Sequence, residues 1–385
     1  RRDRVARAAH RGRLRMIPLN KPSITDLERQ YVADALASGW LTRGAYVDRF
    51  QAEFAAFCGR AHGVAVSSGT AALWAVLNAL ELPEGAVAVP AYTCDAVGNA
   101  AKLVTGLKPV CVDAEAETWG MGVAGLKAAL DRADPPVLAV ILVHTYGVPA
   151  RDTLAIGALC SERGIPLIED GSEAHGATLH SRPVGSFGRC SVFSFRGEKI
   201  FAGAQMGGVV TDDPALAERI RYYADNGLPF PGKLRYWSTG AGLNLQCSNL
   251  HAALALAQLR RAPELLAARR RVHAGWRETL ADLPGLSFQG AYGVPSWWLT
   301  AVWIGRGFTR LDPRDLAAAL EEAGVETRPG FTPLSWMPHL ERGDETPVAD
   351  TLYRSLLVLP SGPDVTIQDQ TFVRATLLKA TGRGA

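Results

Sequence analysis

Phe193-Ser194-Phe195-Arg196-Gly197-Glu198-Lys199 carries an apolar run onto a lysine, and Ile200-Phe201-Ala202-Gly203 continues beyond it. Most lysines are solvated surface charges, but apolar sequence on both sides of this one predicts a buried amine. Asp170 lies 29 residues upstream, where Leu167-Ile168-Glu169-Asp170-Gly171 ends a second apolar run in two acids. Earlier still, Ser68-Gly69-Thr70-Ala71-Ala72 follows one apolar run and opens a helical one. The set offers an amine able to form a Schiff base, a hydroxyl at Ser194 and a carboxylate at a strand end. Pyridoxal phosphate needs one of each: a partner for its aldehyde, a donor to its phosphate, and an anion opposite its pyridine nitrogen.

Around this core the chain alternates short apolar runs with helix-length segments. Strands are expected at Gly63–Ser67, Ala86–Pro90, Pro109–Asp113, Val137–His144, Pro166–Asp170, Cys190–Phe195 and Gly207–Thr211. Helices such as Thr70–Leu82 and Leu154–Arg163 lie between the early strands. This is the pattern of an α/β protein with a mostly parallel seven-stranded sheet between helices. Ligands of such sheets gather at strand carboxyl ends, where Ser68, Tyr92, His144 and Asp170 fall. After Thr211 come long helices at Pro214–Asn226 and Asn249–Leu280, the second broken at Pro263, with a Gly/Pro/aromatic stretch 227–242 between them. Strand Trp298–Ile304, helix Asp312–Ala323, strand Val325–Arg328 and helix Ile367–Lys379 then suggest a smaller α+β C-terminal domain. Residues 16–260 are assigned to the N-terminal segment and large cofactor domain and 261–385 to the small one, on which helix Thr25–Ser38 is expected to lean.

Each motif has a plainer reading. Ser68 or Thr70 can be an ordinary helix cap, rather than part of a phosphate seat built from free N–H groups beside Gly69. Asp170 can be a turn residue bonded to the next backbone amide. Glu173 and His175 fall close enough to touch the cofactor's phenolic oxygen or line its pocket, and His175 can equally be a packed core histidine. Arg196 is a candidate cation to ease deprotonation of Lys199. The Ser68 turn lacks the Gly-Lys-Ser/Thr ending of a nucleotide-binding P-loop and the G-x-G-x-x-G of a dinucleotide fold, which argues against nucleotide triphosphate and nicotinamide chemistry.

The net charge of +3 conceals a basic tail: residues 1–15 hold seven Arg and one Asp, so the remainder carries about −3. The tail is read as sequence upstream of a natural start at Met16, in preference to a nucleic-acid or membrane arm. No apolar stretch follows the arginines, as a signal peptide requires. The longest apolar run, Val137–Val143, is far short of the roughly 20 residues of a membrane span. Six scattered cysteines, with no C-x-x-C pair and no His at ligand spacing, suggest reduced core thiols of a cytoplasmic protein and no metal site.

From Met16 onward the sequence resembles the fold-type-I, pyridoxal-phosphate-dependent DegT/StrS-type sugar aminotransferases, perosamine synthase-like members above all. The motifs carrying the resemblance run in order: Pro18-Leu-Asn-Lys-Pro, Ser38-Gly39-Trp40-Leu41-Thr42, Ser68–Leu73, Pro90-Ala91-Tyr92-Thr93, His144-Thr145-Tyr146-Gly147, Glu169–Gly176, the Lys199 motif, Gly242-Leu243-Asn244, Ser248–Ala253 and Leu359-Pro360-Ser361. The resemblance implies that Lys199 bonds the cofactor and shuttles the proton, while Asp170 faces the pyridinium. It implies that Glu173 meets the phenolic oxygen, and that Ser194, Gly69, Thr70 and Ala71 (through its N–H) hold the phosphate. It implies a homodimer in which each site borrows the partner's Tyr236–Asn249 loop, with Asn244 and Gln246 as phosphate contacts. Trp40, Thr42, Tyr92, Arg328 and Ser335 become substrate candidates.

The implied activity moves an amino group from L-glutamate to a nucleotide-linked keto-sugar, with pyridoxamine phosphate as the intermediate form of the cofactor. Relatives acting on keto-cyclitols, pyridoxamine-dependent sugar dehydratases and non-catalytic regulators share the fold; dehydratases typically replace the lysine by His. The sequence departs from the family where an aromatic normally stacks on the cofactor (Cys94 here, leaving Tyr92 or a distant ring), at Ala204-Gln205-Met206-Gly207, at Gln246 in place of Arg, and at Ser335 in place of His.

Overall fold

The computed structural model describes residues 16–229, 236–340 and 345–383; the basic tail lies outside them. Thirteen strands appear among these residues: β1 His62–Val66, β2 Gly85–Pro90, β3 Leu107–Val112, β4 Val137–Val143, β5 Leu167–Asp170, β6 Thr178–Leu179, β7 Arg182–Pro183, β8 Cys190–Ser194, β9 Gly207–Thr211, β10 Leu286–Phe288, β11 Thr300–Ile304, β12 Arg328–Pro329 and β13 Leu356–Leu359. Seven of them form one sheet in the order β1-β9-β8-β5-β4-β2-β3. Only β9 runs against the rest, pairing antiparallel with both β1 and β8. The sheet is therefore mostly parallel, as the alternation of apolar runs and helices implies.

The reversal of β9 shapes the site. It brings Gly207, the first residue of β9, level with Ser194 at the end of β8 and Val66 at the end of β1. Residues 195–206 must loop over that edge, and Lys199 rides on this loop. The closeness demands glycine: a Cβ on Gly207 would meet the Ser68 carbonyl oxygen at 2.1 Å.

β4 and β5 are buried on both faces, so β4 reads as a continuous apolar run without alternation, while β5 is two apolar residues followed by two buried acids. Helices Gly69–Ala79, Pro214–Ala224 and Ala45–Phe57 cover one part of the sheet. Val123–Arg132 and Thr153–Arg163 pack together beneath β2 and β4, around Leu126, Ala129, Ile156 and Cys160. The break expected near Pro263 occurs at Arg261, between helices Asn249–Arg260 and Ala262–Thr279. The second of these reaches two cores, giving Leu265 and Leu266 to the large one and Val272 and Trp276 to the small one.

The small sheet, ordered β10-β11-β13-β12, is wholly antiparallel. Helices Pro313–Glu322 and Ile367–Ala380 cover it, closing a core of Trp276, Val302, Phe308, Leu316, Leu357 and Leu377. Three expectations need correction here. The strand expected at Val325–Arg328 shrinks to Arg328–Pro329, because Val325 pairs with Ile17 instead. β13 follows helix Pro347–Ser355 with no turn residue between them, so no punctuation announces it. Helix Asp26–Ala37 packs chiefly on Asn249–Arg260, and not on the four-stranded sheet. Its buried Glu28 receives Gln258 Nε2 and Arg261 Nη1, both at 2.7 Å. Burial alone would push this carboxyl up, but donors from Thr25, Arg261 and Gln258 outweigh it and hold its pKa at about 2.

No helix among the described residues is long and apolar enough to cross a membrane.

Candidate active site

Strand periodicity separates the two acids at the end of β5, since neighbouring residues face opposite sides of a sheet. Glu169 points into a polar nest, accepting from the amides of Gly185 (2.9 Å), Phe187 (2.6 Å) and Gly188 (2.9 Å) and from Ser191 Oγ (3.1 Å). His144 Nδ1 accepts from the Ala150 amide at 3.0 Å, so the ring proton sits on Nε2 and donates to Glu169 Oε1 at 3.1 Å. Burial pushes Glu169 up, yet His144 and the amides bring its pKa below the ordinary carboxylate value. His144 and Glu169 thus satisfy each other inside the protein.

Asp170 differs. It is buried, and among the described residues its donors come from Ser172, whose amide lies at 2.9 Å, while the carboxylate borders a cavity of about 450 Å³. Burial raises its pKa, against opposing pulls from Ser172, Lys199 and His144. A buried carboxylate so poorly supplied with donors calls for a cation.

Lys199, 8% exposed, enters the same cavity. Its Nζ lies 3.6 Å from Glu173 Oε1. Glu173 is also buried, its pKa raised by desolvation against the pull of Lys199, and its other oxygen accepts from the Tyr146 amide at 2.7 Å. To aim that amide, Tyr146 takes a left-handed conformation (φ +56°) followed by Gly147 at φ +94°. Strain in a bulky residue beside buried charges is a mark of functional sites. Arg196, the proposed cationic helper, instead turns towards solvent and pairs with Glu198 at 3.4 Å.

The Ser68 turn borders the cavity through Ser68, Gly69 and Thr70, facing Ser194. Ser68 caps the helix, its Oγ accepting from the Ala71 amide at 3.0 Å, so that amide is engaged within the turn. Ser194 Oγ accepts from the Arg196 amide at 3.4 Å. A Cβ on Gly69 would lie 2.8 Å from Ser194 Cβ. Gly69→Ala is therefore expected to introduce about 1–3 kcal/mol of strain where an anion would sit. The measurable result is weaker cofactor binding in absorbance titration, with the far-ultraviolet circular dichroism unchanged.

The remaining candidates divide. Cys94 borders the cavity, its thiol pushed up to about 11 by burial, and Arg328 lines the mouth. Tyr92 does not reach the cavity: it is fully buried, with its hydroxyl 3.0 Å from that of Tyr146 and accepting from the Phe331 amide. It cannot be the ring that replaces the missing stacking aromatic. The ring that does line the cavity is Trp298, joined by Phe331 and by Met206 and Gln205. Nothing in the Ser296-Trp297-Trp298 sequence announces that role, because its place depends on this segment docking on Tyr146 and on Gly147, 149 positions before Ser296, and on Glu198.

His175 is the packed histidine of the plainer reading. It sits among Phe193, Phe195 and Phe201 with both ring nitrogens unbonded, and burial lowers its pKa to about 3. Ser335 is engaged with Thr346 Oγ1 at 2.6 Å and does not line the cavity. Asn244 and Gln246 lie beside the end of β1 without lining the cavity, and Gln246 pairs with Val66 and accepts from Arg43 Nε at 2.8 Å. Trp40 and Thr42 are exposed on the same chain.

A buried lysine, an under-supplied carboxylate and a capped turn meet at the carboxyl edge of a mostly parallel sheet, and together they suit the charge pattern of pyridoxal phosphate. The fold is that of a fold-type-I pyridoxal-phosphate enzyme. The model of the DegT/DnrJ/EryC1/StrS aminotransferase family matches residues 22–378, and the chain belongs to that family. It is 34% identical over 354 residues to the GDP-perosamine synthase of Vibrio cholerae, covering 90% of this chain and 94% of that protein. The GDP-perosamine synthase of Escherichia coli O157:H7 is 31% identical, covering 94% and 97%. Among solved structures, DesI in the presence of its TDP-sugar product superposes with a TM-score of 0.87 at 31% identity, covering 97% of this chain and 95% of DesI.

Proposed function

We propose that this aminotransferase moves an amino group from L-glutamate to a keto-sugar carried on a nucleotide, acting as a homodimer. The observation that carries the chemistry is the shared cavity of Lys199, Glu173 and Asp170. The substrate class rests on relatives named for GDP-perosamine synthesis and for a TDP-sugar product.

Bound pyridoxal phosphate supplies an aldehyde that takes up an amine and a ring that accepts the electron pair left when a C–H bond breaks. Lys199 would be the amine that tethers this aldehyde, and its freed Nζ would be the group that takes up and returns the proton in both half-reactions. Asp170 would supply the anion that keeps a bound pyridine nitrogen protonated. Glu173 steadies the amine on one side, and the strained Tyr146 amide steadies Glu173. Ser68, Gly69, Thr70 and Ser194 form the phosphate end, to which the partner's Asn244–Gln246 segment is brought. Exposed Trp40 (71%), Tyr236 (90%), Trp237 (62%) and Leu243 (48%) form the kind of apolar surface a second copy buries. Lys199 is also the residue that a sugar dehydratase of this fold would lack.

The test is 2-oxoglutarate release from L-glutamate across GDP- and TDP-linked 3-keto and 4-keto sugars and free keto-cyclitols. Turnover with at least one nucleotide-linked sugar is expected. Turnover confined to the cyclitols would replace the substrate reading, and none with any ketone would remove it.

A further inference from the structure

Trp298 forms the wall facing Lys199, and the reaction as derived above makes no use of it. Lys199 Nζ lies 3.4 Å from the centroid of the indole, and Trp298 is itself 5% exposed. The ring is pinned: its N–H donates to the Glu198 carbonyl at 2.7 Å, one residue before the lysine. The Trp298 carbonyl accepts from Arg269 Nη1 at 3.2 Å. Its backbone passes so close to Gly147 that a Cβ there would meet Trp298 N at 2.6 Å. Neighbouring Trp297 faces the other way, stacked 3.5 Å from the buried His273.

We propose that Trp298 is a positioning residue whose indole face is the resting place of the Lys199 ammonium whenever that amine is not covalently engaged. A desolvated ammonium needs a partner on every side, and Glu173 supplies only one. The negative face of an indole, the strongest of the aromatic rings for this purpose, supplies another. Each catalytic cycle sets the amine free and must recapture it. A lysine side chain with four carbons of free rotation spends little of its time near its target unless something holds it there. The bond from the indole to Glu198 ties the ring to the lysine's own loop, so ring and amine keep their register.

The proposal rests on Lys199 being the lysine that engages the cofactor, but the test reads that lysine with no cofactor bound. Full-length apoprotein is treated at fixed pH with a water-soluble N-hydroxysuccinimide ester, and acylation of the Lys199 peptide is followed by mass spectrometry. Acylation needs the lone pair, so an ammonium held on the ring reacts slowly. Trp298→Leu is expected to speed Lys199 labelling about tenfold, within the range of a desolvated cation–π contact. Trp298→Phe, which keeps an aromatic face, is expected to stay near the wild-type rate. Trp297→Leu, which thins the same segment without touching the lysine, is expected to change nothing. Alkylation of Cys94 by iodoacetamide reports access to the same cavity and is expected to be equal in all four proteins. The proposal is overturned if Trp298→Leu labels at the wild-type rate, if Trp298→Phe matches Trp298→Leu, if Trp297→Leu accelerates equally, or if Cys94 alkylation rises in parallel. Failure here leaves the aminotransferase reading standing. That reading fails separately, if borohydride fixes no pyridoxyl group on wild-type Lys199.

Discussion

Lys199→Ala is expected to lower glutamate-dependent transamination by at least about 10³-fold, within the span attributed to general acid–base catalysis, and to abolish borohydride fixation of the cofactor. Two functions leave with one nitrogen: the covalent tether and the proton carrier. The substitution also strips the cation from beside the buried Glu173, whose pKa burial already raises. A misfolded variant would imitate a catalytic loss, so Lys199→Arg is the companion protein. It keeps a positive charge in the cavity, but a guanidinium holds its proton and cannot act as the amine. Both variants inactive, with the arginine protein melting near wild type, is the expected outcome. Full activity in either would remove Lys199 from the chemistry.

Asp170→Asn is expected to act in opposite directions on activity and on the stability of the apoprotein. An amide cannot keep the ring nitrogen protonated, and loss of a preorganised charge at a reacting centre costs about 10²–10³-fold in kcat. The stability effect follows from the raised pKa of Asp170. A carboxyl whose pKa is higher folded than unfolded contributes stability that is fully present below its unfolded pKa and lost as pH rises through the folded value. At pH 8 the wild-type apoprotein therefore carries a buried charge at a disadvantage, and asparagine removes it. The Asn apoprotein should melt above wild type at pH 8, with the gap narrowing as the pH falls through the carboxylate range. Added cofactor should reverse the order, because only the aspartate gains a cationic partner. A wild-type apoprotein that outlasts the variant at every pH would show that Asp170 is already paired without the cofactor.

Much of this arrangement is legible in the sequence, and the reasons are local. The apolar run at Val137–Val143 announces a strand buried on both faces. Ser68 ahead of Gly69–Ala79 announces a helix start through capping chemistry that acts over three residues. Apolar residues on either side of Lys199 announce its burial. Other features leave no local signal. Helix Pro347–Ser355 runs into β13 with no Gly, Pro or Asn to mark the change. Tyr92 stands at a strand end, where ligands gather, yet Tyr146 and Phe331 close over it from distant parts of the chain.

The order of residues by itself determined the strand and helix content of the large domain and the residue types that pyridoxal phosphate demands, because capping, alternation and apolar runs are interactions between near neighbours. Tertiary structure decided which of two adjacent acids faces the cavity, that His144 serves Glu169, that His175 packs among phenylalanines, and that Trp298 meets Lys199. These outcomes depend on groups up to 99 positions apart meeting across folded layers. Side chains so distant in sequence exert no force on each other until the layers close and water leaves, so no local pattern can record them.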